Sequence, residues 1–132
     1  MTRFHHETLD VYQLAIEFVV AADSIAASLP RGRNYVADQL RRAATSIALN
    51  IAEGAGEFSP REKGRFYRIA RRSATECAAI LDVCERLEFG TARHIEAGRD
   101  LLHRIVSMLT RLAQTHSGTE TETGTETDLA TA

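Results

Sequence analysis

The sequence has no Trp, two Pro and two Cys among its 132 residues, and Lys63 is its only lysine. Aromatic residues make up 6% of the chain, whereas Ala and Leu are plentiful, so the composition favours helices over strands. No run of about 18 apolar residues is present to span a membrane. Residues 1–6 also lack the apolar stretch of a secretion signal. We therefore expect a chain of helices without a membrane segment.

The two cysteines indicate a reducing compartment. Cys77 and Cys84 lie seven residues apart within one helical pattern, which places their Cα atoms ~10 Å from each other. That distance is too long for a disulfide within a helix. Buried free thiols are the simplest interpretation, and they are typical of the cytoplasm.

Four segments repeat apolar residues at steps of three and four, which is the pattern of one buried helix face. They cover residues 9–29, 35–53, 60–89 and 92–113. Asn34 is the predicted N-cap of the second helix, and Thr91 that of the fourth. The third helix has the clearest start, because Ser59, Pro60 and Glu62 form a capping box with proline at the first helical position.

The third segment also indicates how the helices pack. Its predicted apolar seam is Phe66, Ala70, Ser73, Cys77, Ile80, Cys84 and Leu87. This strict 4-3 spacing is the heptad pattern of left-handed helix packing. Because the loops between the helices are short, consecutive helices should be antiparallel. The predicted fold is all-α, an antiparallel up-down-up-down left-handed four-helix bundle.

The predicted bundle covers residues 9–116, between a flexible N-terminus at residues 1–8 and a disordered tail at residues 117–132. The tail contains Thr, Gly and acids with almost no apolar residue, so it cannot offset the entropy lost on ordering. The four acids of the tail make the whole chain acidic, although the predicted bundle is basic. Residues 1–116 hold 16 cationic side chains and 18 − 4 = 14 acids, a net charge of +2.

Arginine is concentrated on the second and third helices. Residues 31–72 contain ten cationic side chains and four acids, a net charge of +6. The candidate nucleic-acid-binding residues are Arg41, Arg42, Arg61, Arg65, Arg68 and Arg72. The last four follow one stripe of the third helix at i, i+4, i+7 and i+11. Such a stripe could bind phosphates along a nucleic acid, but it is also the pattern of an ordinary solvated face, and frequent Arg is typical of a GC-rich genome.

A few polar residues lie close to the predicted apolar seams. The candidate structural polar network is Asn50, Glu53, Ser73 and Glu76. A polar group near the core must be hydrogen-bonded. Two interpretations stay open, a network that fixes the register of the helices and a site of contact with a ligand or another subunit.

We find no catalytic, cofactor or metal site in the sequence. Asp100 and His103 have the Glu-x-x-His spacing of di-iron bundles, but there is no second copy, and an exposed pair is the simpler interpretation. Ser73 and Cys77 lie on the apolar seam without a histidine at helical spacing, as packing residues do. We therefore expect a protein that is not an enzyme.

Two segments resemble a known family. SIALNIAEG at residues 46–54 and FYRIARRSATECAAIL at residues 66–81 resemble the 23S rRNA intervening-sequence proteins, a family of four-helix bundles. The most specific elements are Asn50–Gly54 and the Ser-x-x-Glu of Ser73 and Glu76. The resemblance spans nearly all of the predicted bundle. Family members often have Gly where this chain has Arg72.

The resemblance implies an antiparallel left-handed bundle that assembles into a homopentamer without enzymatic activity. A related accessory protein of diversity-generating retroelements forms a basic pentamer that binds nucleic acid and a reverse transcriptase. The expected function is therefore non-specific binding of RNA or DNA through the Arg-rich face. The alternative is a scaffold for a protein partner, such as a reverse transcriptase encoded nearby.

Overall fold

The computed structural model describes residues 3–116, which form four α-helices and one short 3-10 helix without any strand among them. The elements are a 3-10 helix at His5–Thr8, α1 at Asp10–Ala27, α2 at Asn34–Gly56, α3 at Pro60–Arg86 and α4 at Ala92–Thr115. The prediction of an all-α four-helix bundle is confirmed. None of these helices is both long and apolar enough to cross a bilayer. The predicted tail at residues 117–132 lies outside the described residues.

The starts of α3 and α4 are capped by the predicted residues, but the Glu62 half of the predicted capping box is missing, because Glu62 pairs with Arg65 instead. The hydroxyl of Ser59 accepts a hydrogen bond from the backbone N–H of Glu62 at 3.3 Å, and Pro60 opens α3. The hydroxyl of Thr91 accepts one from the N–H of His94 at 3.3 Å. Each bond satisfies one of the donors left unpaired in a first helical turn.

Two predicted boundaries of α2 are wrong. Asn34 is the first residue of the helix rather than its cap, and the N-cap is Arg33, whose side chain makes no capping hydrogen bond. The helix also continues past its predicted end at residue 53 to Gly56. It can do so because Nζ of Lys63 donates to the carbonyl oxygens of Gly54 and Ala55, at 3.3 and 3.0 Å. Lysine binding of free carbonyls is a common way to complete a helix C-terminus.

The core lies along the centre of the bundle and takes large residues from all four helices. Its largest fully buried side chains are Phe18, Leu40, Ile47, Ile51, Leu81, Leu102, Ile105 and Leu109, with Cys77 and Cys84. Burying a side chain of the size of Leu or Phe contributes ~1.5–3 kcal/mol each. No polar or charged residue within residues 3–116 is fully buried, so packing, not an internal polar group, forms this core.

The seam of α3 differs from the predicted one. The residues buried along it are Tyr67, Ala70, Ala74, Cys77, Ile80, Leu81 and Cys84, with Gly64 at its start. Phe66 and Ser73 are half-buried, and Leu87 is 47% exposed. The buried face of α3 is therefore rotated about the helix axis, relative to the predicted one, towards Tyr67 and Leu81. At the ends of α1 and α4, Ala26 and Ala113 are buried, and Leu29 and Leu112 pack against the core while partly exposed.

Polar pairs join consecutive helices at several levels of the bundle. In order of their first residue, the pairs are Asp23 with Arg41, Gln39 with Glu76, Ser46 with Ser73, Arg71 with Thr110, and Asp82 with Arg99. The helices are thus in contact along their length and do not meet at a single crossing point.

At Gly54 the backbone of α2 comes close to side chains of α3. A Cβ atom added to Gly54 would lie 2.8 Å from Cε1 of Tyr67 and 3.2 Å from Cβ of Phe66. The ring of Tyr67 cannot move away freely, because Tyr67 is only 3% exposed. Glycine at this position therefore allows the Tyr67 ring to pack directly against the backbone of α2.

We predict that Gly54→Ala lowers the free energy of unfolding by about 1–3 kcal/mol, the usual cost of overpacking a tight contact. Alanine is the better helix former by only ~1 kcal/mol, which is too little to compensate. Urea unfolding followed by circular dichroism measures the change. The control is Gly56→Ala, because a Cβ there meets no atom within 4 Å. Equal stability of the two variants would refute the close approach.

Candidate nucleic-acid interface

The outer side of α3 carries the arginine face, which we define as Arg61, Arg65, Arg68 and Arg72. All four residues are exposed, while the other side of the helix is buried through Tyr67, Ala70 and Ala74. The predicted stripe therefore lies on the surface, as both a phosphate-binding face and a solvated face require. Arg72 adds its charge to this surface.

The charge of α3 is divided along its length. Residues 60–72 contain six cationic side chains and one acid, Glu62, a net charge of +5, whereas residues 73–86 contain three acids and one arginine. Arg61 and Arg65, and likewise Arg68 and Arg72, are four residues apart. Like charges at this spacing destabilise a helix by ~0.2–0.5 kcal/mol per pair. The helix folds despite this repulsion, which an anion bound to the face would relieve.

The members of the arginine face differ in their contacts within the described bundle. Nε of Arg65 donates to Oε1 of Glu62 at 3.1 Å, and its guanidinium lies 4.6 Å from the ring centroid of Phe66. Arg68 and Arg72 form no ion pair with any residue between 3 and 116. Within the arginine face, the guanidinium groups of Arg68 and Arg72 are therefore available to an external anion.

The candidates on α2 have different surroundings. Nε of Arg41 donates to Oδ1 of Asp23 at 2.8 Å and so ties α2 to α1. Arg42 is exposed beside an open groove that is also lined by Leu49 and Asn50. The structure thus separates the six candidate arginines into the arginine face on α3, a structural arginine at residue 41 and an exposed arginine at residue 42.

Two of the four candidate network residues, Asn50 and Ser73, are both hydrogen-bonded to Ser46, which is not one of the candidates. Nδ2 of Asn50 donates to the carbonyl oxygen of Ser46 at 2.9 Å and to its Oγ at 3.1 Å. The Oγ atoms of Ser46 and Ser73 are 2.9 Å apart, which joins α2 to α3. Glu76 instead accepts a 3.5 Å hydrogen bond from Gln39 at the surface, and Glu53 is exposed. Sequence periodicity did not single out Ser46 as the bridging residue.

The nucleophilic side chains are in unreactive surroundings. Burial, followed by the charge of Glu76, raises the pKa of Cys77 to about 12, and burial also raises the pKa of Cys84. A thiol with such a pKa stays protonated at neutral pH, and the thiolate is the reactive form. Asp100 and His103 are exposed, and residues 3–116 contain no group of three His, Cys, Asp or Glu that could hold a metal ion.

Two features near the arginine face were not apparent from the sequence pattern. Phe58, in the loop between α2 and α3, is 97% exposed, although a lone Phe in a short loop gives no periodic signal. His116 packs against Tyr67, with their ring centroids 5.8 Å apart. Burial, together with the charge of Lys63, lowers the pKa of His116, so its imidazole is neutral at pH 7.

The fold and this surface define a class of small four-helix bundles with a basic outer helix face. The sequence model of the family described as 23S rRNA-intervening sequence protein matches residues 7–111. The chain belongs to this family, and the resemblance found in the sequence is confirmed.

The fold is shared with solved structures, of which one illustrates the likeness. A protein of unknown function from the S23 ribosomal protein family of Bacteroides thetaiotaomicron superposes with a TM-score of 0.73. It is 24% identical in sequence, and the match covers 79% of this chain and 98% of the other. At this identity the likeness shows the fold alone. No curated protein matches the sequence significantly.

We predict that neither cysteine of the native protein reacts with a thiolate-dependent reagent at pH 8, because both thiols are buried and protonated. In urea both should react at the rate of a free cysteine. Since the folded pKa of Cys77 is raised from 9.0 to about 12, only the unfolded thiol ionises between these values. Stability should therefore fall as the pH rises above 9. Timed labelling with and without urea tests the burial, and fast labelling of the native protein would contradict it.

Proposed function

We propose that this protein is a non-enzymatic, self-associating bundle that binds RNA or DNA without sequence preference through its arginine face. The observation that carries the proposal is the exposure of four arginines on one side of α3, with Arg68 and Arg72 lacking an ion pair within residues 3–116. Guanidinium groups match the geometry of phosphate oxygens and can bind them through two hydrogen bonds each.

The spacing of the arginine face fits a repeating anion. Residues at steps of three and four project from one side of a helix, ~4.5–6 Å apart along its axis. Several phosphates of one strand can therefore be contacted at once, and each contact releases a counterion. Contacts made only to phosphates do not read the base sequence. The proposed binding is accordingly sensitive to salt and tolerant of sequence.

We also propose the antiparallel, left-handed order of helices. The pairs that join α2 to α3 support it, because Gln39 and Ser46 ascend α2 while their partners Glu76 and Ser73 descend α3. The pairs between α3 and α4 follow the same opposing order. Short connections between long helices are typical of this topology.

Self-association is proposed through the outer side of α1 and α2. Val20 and Leu49 are 63% and 61% exposed, and Ile16 is 38% exposed, although all three are aliphatic. Ile16 and Val20 lie one turn apart and lead along α1 towards Asp23, which contacts Arg41 of α2. Burying such a surface against a second copy would contribute ~25 cal/mol per Å². A homopentamer, as the family resemblance implies, would present five arginine faces as one polyvalent surface.

A scaffold for a protein partner is the second candidate function. The open groove on α2 supports it, because an exposed aliphatic side chain, Leu49, lies there beside Arg42, Asp38 and Asn50. A mixed apolar and charged groove of this kind suits a peptide segment. The two functions differ in their salt dependence, since the apolar part of a protein contact persists in salt.

We predict that the triple variant Arg65→Gln, Arg68→Gln and Arg72→Gln binds a single-stranded oligonucleotide more than tenfold less tightly at 50 mM salt. The slope of log K against log salt should fall by ~0.7 for each phosphate that the variant no longer neutralises. Fluorescence anisotropy between 50 and 200 mM salt measures both. The matched control, Arg93→Gln, Arg104→Gln and Arg111→Gln, removes the same charge from exposed sites on α4. Equally weakened binding in the two variants would reject the arginine face.

We predict that Val20→Glu with Leu49→Glu converts the assembly to a monomer while helicity is retained, because both side chains are exposed in the single chain and become buried only in the assembly. Light scattering coupled to size exclusion gives the mass, and circular dichroism gives the helicity. Val83→Glu, on the exposed side of α3, is the control. A wild-type protein that is already monomeric at high concentration would overturn this part of the proposal.

A further inference from the structure

The C-terminal end of α4 lies directly beside the arginine face. A Cβ atom on Gly64 would be 2.5 Å from the carbonyl oxygen of His116 and 3.2 Å from Nη1 of Arg68. Both atoms thus approach the same point, so the guanidinium group of Arg68 lies next to the last carbonyl that the structure describes. The ring contact between His116 and Tyr67 holds the chain there. The following residues therefore start from the edge of the arginine face.

The sequence after His116 has the opposite charge to this face. Residues 117–132 contain four carboxylates and no Lys, Arg or His. The acids are Glu120, Glu122, Glu126 and Asp128. The family match ends at residue 111, so the acidic segment lies outside the region shared with the family. Whatever this segment does is an addition to the shared bundle.

We propose that the acidic segment, residues 117–132, docks on the arginine face of its own chain. The distances allow it. Glu120 and Asp128 are four and twelve residues from His116, within ~13 and ~40 Å for an extended chain. The arginine face extends ~16 Å along α3 from Arg61 to Arg72. Carboxylates bind guanidinium groups in the same two-bond geometry as phosphates, so the segment can occupy the site of a polyanion.

Docking has a regulatory consequence, and this consequence rests on the proposed function. A segment attached to its own binding site is present there at an effective concentration of about millimolar. A short or weakly charged nucleic acid would be excluded, whereas a long polyanion that contacts several copies at once would displace the segment. The acidic segment would therefore make binding depend on the length of the nucleic acid.

Paramagnetic labelling of the full chain tests the docking without any nucleic acid. A nitroxide on Thr127→Cys lies between two of the acids, and the buried native thiols do not compete for the label. We expect the label to broaden the amide signals of residues 61–72 selectively at low salt. The broadening should vanish at 1 M salt, where the screening length is ~3 Å.

The matched control carries the same label and replaces the four acids by amides, as Glu120→Gln, Glu122→Gln, Glu126→Gln and Asp128→Asn. It keeps the length of the segment and should lose the selective broadening. Broadening that is equal over all four helices, or that survives in the control, would overturn the docking.

Binding measurements separate the docking from its consequence. Without the label, the neutralised variant should bind a short single-stranded oligonucleotide about three- to thirtyfold more tightly than the native chain at 50 mM salt, and equally in high salt. Unchanged affinity together with selective broadening would refute the regulation alone. If neither protein bound the oligonucleotide while the broadening was present, the proposed function would fail and the docking would stand.

Discussion

The bundle depends on the close approach of α2 and α3 through small side chains. Gly54 leaves room for the ring of Tyr67, and the buried positions of α2 are largely alanine. The distance between two packed helices is set by the side chains at their contact. Because small residues bring α2 and α3 together, most charged residues of α3 are left on its outer side. The arginine face is therefore a consequence of the packing as well as of the sequence.

The packing of α3 against its neighbouring helices also determines which of its cations are used in contacts within the bundle. Lys63 is one of six cationic residues in the first half of α3, yet it turns towards α2 and binds two carbonyl oxygens there. Arg71 contacts Thr110 on α4. The cations next to neighbouring helices are thus used within the bundle, whereas Arg68 and Arg72 on the outside form no ion pair within residues 3–116. Net charge alone, at +6 for residues 31–72, does not make this distinction.

Much of the fold could be predicted from the sequence, because its signals are local. The caps at Ser59 and Thr91 depend on residues three apart, and helical periodicity identified the four helices. The register of α3 could not be predicted in this way. The predicted and observed seams share Ala70, Cys77, Ile80 and Cys84, so periodicity is satisfied by both. The register of α3 is decided by its contacts with α2. The ring of Tyr67 packs against Gly54, and the hydroxyl of Ser73 forms a hydrogen bond with that of Ser46 at the edge of the contact.

The candidate site shows the same division between local and distant information. The stripe of arginines at i, i+4, i+7 and i+11 could be predicted from the sequence, and the structure places all four on the surface. The ion pair of Arg41 could not be predicted, because its partner Asp23 lies on another helix. Periodicity assigns a residue to a face, but it does not identify what lies across from that face. For this reason the partner of Arg41 became apparent only in the structure, whereas Arg42 is exposed on α2.

The end of α4 is likewise positioned by a contact with another helix, at His116. If α4 did not contact α3 at its C-terminus, the residue at which α4 ends would have no effect on α3. Here α4 ends against Gly64, where only a residue without a side chain lets the His116 carbonyl come so close. The exit of the chain is thereby fixed beside Arg68, and an acidic sequence follows it. Opposite charges joined at a fixed point attract each other at every concentration of the protein, since the encounter is intramolecular. In the proposed docking, an external polyanion therefore competes with a ligand that the chain itself supplies.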